Sequence, residues 1–255
     1  MIIDAHLHLR DDVYVGEEGT PENLVKMMDE VGVDKAVLLR LYVPARKAME
    51  ELQEARDKYP HRFIPFFYAI PAFYEPVLKL MEEAIKERHF KGIKMHAGIC
   101  RLESYIVDPV FDLASQLDVP VLIDPAGDYQ NIERLAKSFP KAKIIVAHLG
   151  HYLCSDGHII DRFISIARDY PNLYLDISGV LLVDRIERAI AEIGYERIIW
   201  GTDGPSNRPD PVSFTKKEME KVLVLQIGER EKRAILGENI ALLLGIETMD
   251  EQRCC

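Results

Sequence analysis

Short apolar runs alternate with amphipathic stretches along nearly the whole chain. The strand-like runs are 2–8, 35–41, 63–69, 92–96, 119–123, 143–147, 172–177 and 197–200. Helical periodicity fills the intervals at 21–31, 45–59, 74–87, 109–117, 131–139, 157–170 and 184–193, and again at 216–226 and 230–244. Thr20 before Pro21 and Asp108 before Pro109 read as helix entries, with a capping residue followed by a proline. Pro60, Pro140 and Pro171 each stop a helix just ahead of the next strand.

Eight strands separated by helices predict a parallel sheet, because parallel neighbours need such crossovers. Eight in succession predict closure into a (β/α)8 TIM barrel of the α/β class, one domain over 1–250 with an extra C-terminal helix. An open doubly wound sheet is the alternative, but no glycine-rich fingerprint follows the first strand. Residues 251–255, which include Cys254 and Cys255, read as a flexible tail.

The 255 residues suit one barrel, and 48% hydrophobic with 29% charged is ordinary for a globular protein. A net charge of −10 with no basic stripe argues against nucleic acid as a partner. No apolar run approaches the ~20 residues of a membrane span, so no membrane partner is expected. Met1 leads straight into a strand and the four cysteines show no zinc-ribbon or redox spacing, so a cytoplasmic location is the expectation.

Polar residues collect at the ends of the strands: His6 and His8, Lys94 and His96, Asp124, His148, Asp176 and Ser178, and Asp203. In a parallel barrel all these ends lie on one face. Alternation puts His6 and His8 on the same side of their strand, and Lys94 with His96 likewise. Two imidazoles at i and i+2 can ligate one metal, with carboxylates from other strands completing the shell. A lone His-x-His arises easily by chance, Asp176 could simply bond backbone, and Asp203 could initiate a turn. The joint pattern gives these residues weight. His61, His89 and His158 read as surface or loop residues, and His151 as a neighbour of the site or nothing.

The segments Ile3-Asp4-Ala5-His6-Leu7-His8, Gly92-Ile93-Lys94-Met95-His96, Ala147-His148-Leu149-Gly150, Leu175-Asp176-Ile177-Ser178-Gly179 and Ile199-Trp200-Gly201-Thr202-Asp203 occur in this order. With the closing stretch 235–244, they make the chain resemble the amidohydrolase 2 branch of the amidohydrolase superfamily, which includes hydrolases and aromatic-acid decarboxylases. The resemblance implies His6 and His8 as metal ligands and Asp203 as a ligand that also moves a proton. It implies that His148 polarises substrate or assists proton transfer. Lys94 matches a branch that uses one metal. The pattern departs after strand five, where Asp124 stands in place of the family's usual histidine.

These readings predict an enzyme with one divalent ion, Zn²⁺ or Mn²⁺, held by His6, His8, Asp124 and Asp203. Asp203 acts as general base and His148 as oxyanion stabiliser, while Lys94 and His96 bind the carboxylate of a small-molecule substrate. Hydrolysis of an amide, ester or lactone is the first expectation. Decarboxylation of a small aromatic acid is the rival, with Lys94, Arg101 and Arg40 as candidates for a basic clamp. A catalytically impaired binding or scaffold barrel is the third reading, suggested by Asp124. The short loops leave an open site, for which a homo-oligomer partner could supply a lid.

Overall fold

The computed structural model describes residues 1–10 and 16–247. The tail expected at 251–255, with Cys254 and Cys255, lies outside the described residues. Eight strands form one parallel sheet in sequence order. They are β1 (Ile3–His8), β2 (Lys35–Leu39), β3 (Phe63–Tyr68), β4 (Gly92–His96), β5 (Val121–Asp124), β6 (Ile144–Val146), β7 (Leu173–Asp176) and β8 (Ile198–Ile199).

The helices between them are α1 (Pro21–Val31), α2 (Ala45–Lys58), α3 (Val77–Lys86), α4 (Ser104–Gln116), α5 (Tyr129–Ser138), α6 (Gly157–Asp169) and α7 (Val183–Ile193). After β8 come α8 (Pro211–Leu223), α9 (Glu229–Arg233), a π-helical segment (Ala234–Glu238) and α10 (Asn239–Leu243). This is the TIM barrel that the periodicity predicts.

Each of the helices α1 to α7 buries one stripe. Leu24, Met27 and Met28 of α1 show the i, i+3, i+4 spacing of a helix packed on one side, and Gly32 ends it in the left-handed conformation at φ 78°. Asp128 caps α5 by accepting from the Asn131 N–H at 3.1 Å. One expected entry is displaced. Helix α4 begins a turn before Asp108 and carries Pro109 inside it, so Asp108 caps nothing; its carboxylate accepts from Arg134 Nη1 at 2.7 Å, while Nη2 donates to the Leu102 carbonyl at 3.0 Å.

The core has two layers. Alternate residues such as Ile93, Met95, Val121 and Ile123 face the helices. Ile3, Ala5, Val37, Leu39, Phe66, Leu122, Ile145 and Ile199 fill the barrel interior. Ile240, Ala241 and Leu244 join that inner cluster. A side chain at Gly237 would meet the Ile3 backbone nitrogen at 3.1 Å, so the C-terminal helix lies across the N-terminal end of the barrel.

Strand β1 carries an irregularity between Asp4 and Leu7. Ile3 and Ala5 belong to the inner cluster whereas Leu7 and Leu9 belong to the outer one. This switch of parity turns His6 and His8 towards the inside at the barrel mouth. Closure between β8 and β1 runs through the residues that bear the candidate site. Ala5 N–H donates to the Trp200 carbonyl at 3.1 Å, Asp203 N–H to His6 at 2.7 Å, and His8 N–H to Gly204 at 2.7 Å. Among the described residues no helix is long and apolar enough to cross a membrane.

Candidate functional site

At the C-terminal ends of the strands, His8 Nε2 lies 2.9 Å from Asp203 Oδ1, and His6 Nε2 lies 3.1 Å from the same oxygen. Residues from opposite ends of the chain thus meet at bonding distance. One ligand atom from each of the three lies within 4.8 Å of the other two. Behind His6, its Nδ1 is 2.9 Å from Asp176 Oδ2. A neutral ring that donates from Nδ1 presents a lone pair at Nε2, so the Nε2 lone pair and the Asp203 oxygen face each other without a hydrogen between them. A cation relieves that apposition; Lys94 Nζ, 3.0 Å from His6 Nε2, relieves part of it. Two imidazoles and a carboxylate are donors suited to a divalent transition metal.

Burial pushes His6 well below the ordinary imidazole range, reinforced by the Lys94 charge. Burial also lowers His8, against the opposing pull of Asp203. Both rings are therefore neutral near pH 7, the form that ligates. Burial would raise Asp203, but the surrounding His6, His148 and His8 outweigh it and hold the carboxyl well below the usual range. Burial lowers Lys94 against the attraction of Asp124 and Asp203.

Asp124 does not join this trio. Its Oδ2 lies 3.3 Å from His96 Nε2 and 3.6 Å from His148 Nε2, and its Oδ1 accepts from the Ala126 N–H at 2.8 Å. His96 Nδ1 accepts from the Gly98 N–H at 2.9 Å, which leaves the neutral ring's hydrogen on Nε2, facing Asp124. His148 is held in a turn of left-handed residues, at φ 61° with Leu149 at 49° and Gly150 at 101°. Its Nδ1 is 2.9 Å from the Ser178 carbonyl.

A cavity of 730 Å³ opens beside the trio, lined by His8, Lys94, His96, Asp124 and Asp203. Arg10, Arg40 and Arg208 add positive charge to its wall, and Leu41, Tyr42 and Phe214 add apolar surface. Of the three expected clamp residues, Lys94 and Arg40 line the cavity and Arg101 does not. Arg40 also holds Glu51, Nε to Oε2, at 2.5 Å. His61, His89 and His158 are exposed as expected, and His151 bonds the Tyr152 carbonyl.

Sequence reasoning missed several supports. Asp4 accepts from the Thr202 N–H at 2.9 Å and its hydroxyl at 2.6 Å, and burial pushes its carboxyl up to about 6. Glu218, buried on α8, accepts from the Gly179 N–H at 3.0 Å and pairs with Lys221. An acid on a helix stripe that otherwise reads as surface gives no signal of this. Arg10 and Arg208 lie on connecting segments, where periodicity says nothing about direction.

Comparison with known proteins places this geometry. A family model described as amidohydrolase matches residues 3–246. A gamma-resorcylate decarboxylase of Polaromonas sp. is 26% identical over 254 residues, covering 73% of this chain and 77% of that protein. Among solved structures, a dihydroxybenzoic acid decarboxylase from Polaromonas sp., with bound manganese and the inhibitor 2-nitroresorcinol, superposes with a TM-score of 0.71 at 19% identity, covering 98% of each chain. A 4-oxalomesaconate hydratase from Rhodopseudomonas palustris has a TM-score of 0.70 at 18% identity, with 96% of each chain covered. The protein belongs to the amidohydrolase family, on the amidohydrolase 2 branch.

Proposed function

We propose that this protein is a decarboxylase of a small hydroxylated aromatic acid and works with one divalent ion, Mn²⁺ in preference to Zn²⁺. The observation that carries the reading is the convergence of His6, His8 and Asp203 beside a cavity walled by Lys94 and three arginines. Support for decarboxylation over hydrolysis comes from the similarity to gamma-resorcylate decarboxylase and to the manganese-bound dihydroxybenzoic acid decarboxylase structure, both from Polaromonas sp..

His6, His8 and Asp203 would hold the ion, which supplies positive charge to the oxygens of the bound acid. Asp124 is left out of the ligand set, because its carboxylate is engaged by His96 and the Ala126 backbone. Lys94 and the arginine-lined wall attract the anionic substrate, and Tyr42 and Phe214 cover the faces of its ring. Asp203 carries the proton. It takes a proton from a substrate hydroxyl and gives it to the ring carbon that bears the carboxylate. The bond between that carbon and the carboxylate then breaks, its electron pair returns to the ring, and carbon dioxide leaves. His148, with Nδ1 donating to the Ser178 carbonyl, turns Nε2 towards Asp124 at the back of the site.

A panel of mono- and dihydroxybenzoates assayed for carbon dioxide release with Mn²⁺ tests the reading against esters and lactones. Release from at least one acid is the expected result. Ester or lactone cleavage with no release from any acid establishes the hydrolase instead.

Protons should compete with the ion. Because burial lowers both His6 and His8, Mn²⁺ occupancy is expected to persist through the ordinary imidazole value of about 6.5 and to fall only in more acid solution. Equilibrium dialysis between about pH 4 and about pH 8 measures this. Occupancy that is pH-independent across that range counts against both histidines as ligands.

A further inference from the structure

Strand β7 supplies none of the ligand atoms proposed above, yet its last residue, Asp176, and Ser178 two positions on are among the most deeply buried polar groups beside them. Asp176 and Ser178 are both 0% exposed. Ser178 Oγ lies 2.6 Å from Asp176 Oδ2, 3.0 Å from His148 Nδ1 and 3.2 Å from His6 Nδ1. We propose that Asp176 and Ser178 are a positioning pair that sets the tautomer and ring orientation of His6 and His148 together. The inference rests on the reading of His6 as a ligand, and is independent of which reaction the site performs.

Counting hydrogens fixes the direction of every bond. A carboxylate only accepts. Asp176 Oδ1 takes the Ser178 N–H at 3.0 Å, and Oδ2 takes the Ser178 hydroxyl and His6 Nδ1. The hydroxyl has a single hydrogen. Once it is given to Asp176, the oxygen can only accept: the nearer donor is His148 Nδ1, which shares its hydrogen between that oxygen and the Ser178 carbonyl, and His6 Nδ1 stands at 3.2 Å. Both rings are thereby Nδ1–H tautomers. His6 turns a lone pair at Nε2 towards Asp203 and Lys94, and His148 turns one towards Asp124. Without Asp176, the Asp203 carboxylate on the Nε2 side favours the tautomer whose Nε2–H cannot ligate, and Lys94 alone opposes it from that side.

Two simpler readings account for less. A strand-end carboxylate that merely bonds backbone needs one oxygen, and Asp176 commits its second to side chains. His6, His148 and Asp176 also offer a second trio of converging ligand atoms, but the Ser178 hydroxyl stands among them and fills the space a cation would take. The junction is closely packed as well. A side chain at Gly201 would lie 2.7 Å from His6 Cβ and 3.3 Å from Asp176 Oδ1.

Asp176→Asn keeps the shape but leaves one oxygen for three donors, and its amide nitrogen can face His6 Nδ1 only if the ring proton moves to Nε2. Loss of such a support costs about 10- to 100-fold in metal affinity, and that loss is expected in a Mn²⁺ titration of the chelator-treated protein. Nitrogen-15 spectra of the metal-free, histidine-labelled protein supply a readout that a merely structural role would not move. Wild type should show His6 and His148 as Nδ1–H, and Asp176→Asn should move His6 away from that form. Ser178→Ala should shift His148 towards a mixed tautomer and weaken Mn²⁺ binding less than Asp176→Asn does. The inference is overturned if Asp176→Asn retains both Mn²⁺ affinity and the His6 tautomer. Should that variant not fold, a wild-type His6 found as Nε2–H overturns it equally. His6→Ala with unchanged Mn²⁺ affinity would instead remove His6 from the ligand set, a different failure that leaves the tautomer result standing.

Discussion

Asp203→Asn is expected to lower turnover by about 10²–10⁴-fold, the usual contribution of a positioned proton carrier. The variant should fold. Asp203 sits at φ 58°, and asparagine tolerates that left-handed conformation as well as aspartate does. The backbone bond from its N–H to the His6 carbonyl, which helps close the barrel, does not involve the side chain. An amide oxygen remains as a weak ligand, but the amide has no proton to give at neutral pH. Reduced Mn²⁺ affinity is expected too, so turnover must be compared at saturating Mn²⁺. Single-turnover release of carbon dioxide then isolates the chemical loss. Full turnover under those conditions would remove Asp203 from the chemistry.

The second large effect concerns backbone. Gly150 is at φ 101°, and a side chain there would land on the buried Phe163 ring. Overpacking costs about 1–3 kcal/mol and a left-handed non-glycine residue about 1–2 kcal/mol, so Gly150→Ala should destabilise the fold by roughly 2–5 kcal/mol. For a chain of this size that is a fall of roughly 10 °C in Tm. Gly32→Ala is the control, because at φ 78° it bears the conformational cost with nothing within 4 Å of the added carbon. Thermal unfolding of the two variants side by side checks the argument. Equal losses would show that Phe163 moves aside. Because Gly150 closes the turn that holds His148, the first variant should also lose activity at temperatures where it is still folded.

The sequence makes the barrel legible because strand and helix periods differ and proline marks the boundaries. Pro109 misled, since a proline marks a helix start only when nothing upstream continues the helix, and Ser104 to Asp108 do so. Convergence of His6, His8 and Asp203 was legible because the ends of parallel strands share a face. The irregularity in β1 was not. Simple alternation puts His6 and His8 on the same side but cannot say which side, and inner residues Ile3 and Ala5 would have sent them outwards. Asp124 shows the opposite limit. Its place at the strand end was readable, but whether it points at a cation or at His96 depends on the Gly98 backbone bond that orients that ring. The proposed preference for decarboxylation over hydrolysis was not legible in the strand-end residues and rests on the relatives alone.

Strand β8 is only two residues long, and the ring of strands is completed by the stretch that carries Thr202 and Asp203. The His8–Asp203 contact joins positions 195 apart in sequence. The candidate site is therefore also the seam where the first strand is fastened to the last. During synthesis, no emerging portion of the chain that stops short of Asp203 can contain that contact, however well its early strands have paired. Contacts of such long separation are slow to form, so the centre comes into being in the step that shuts the ring.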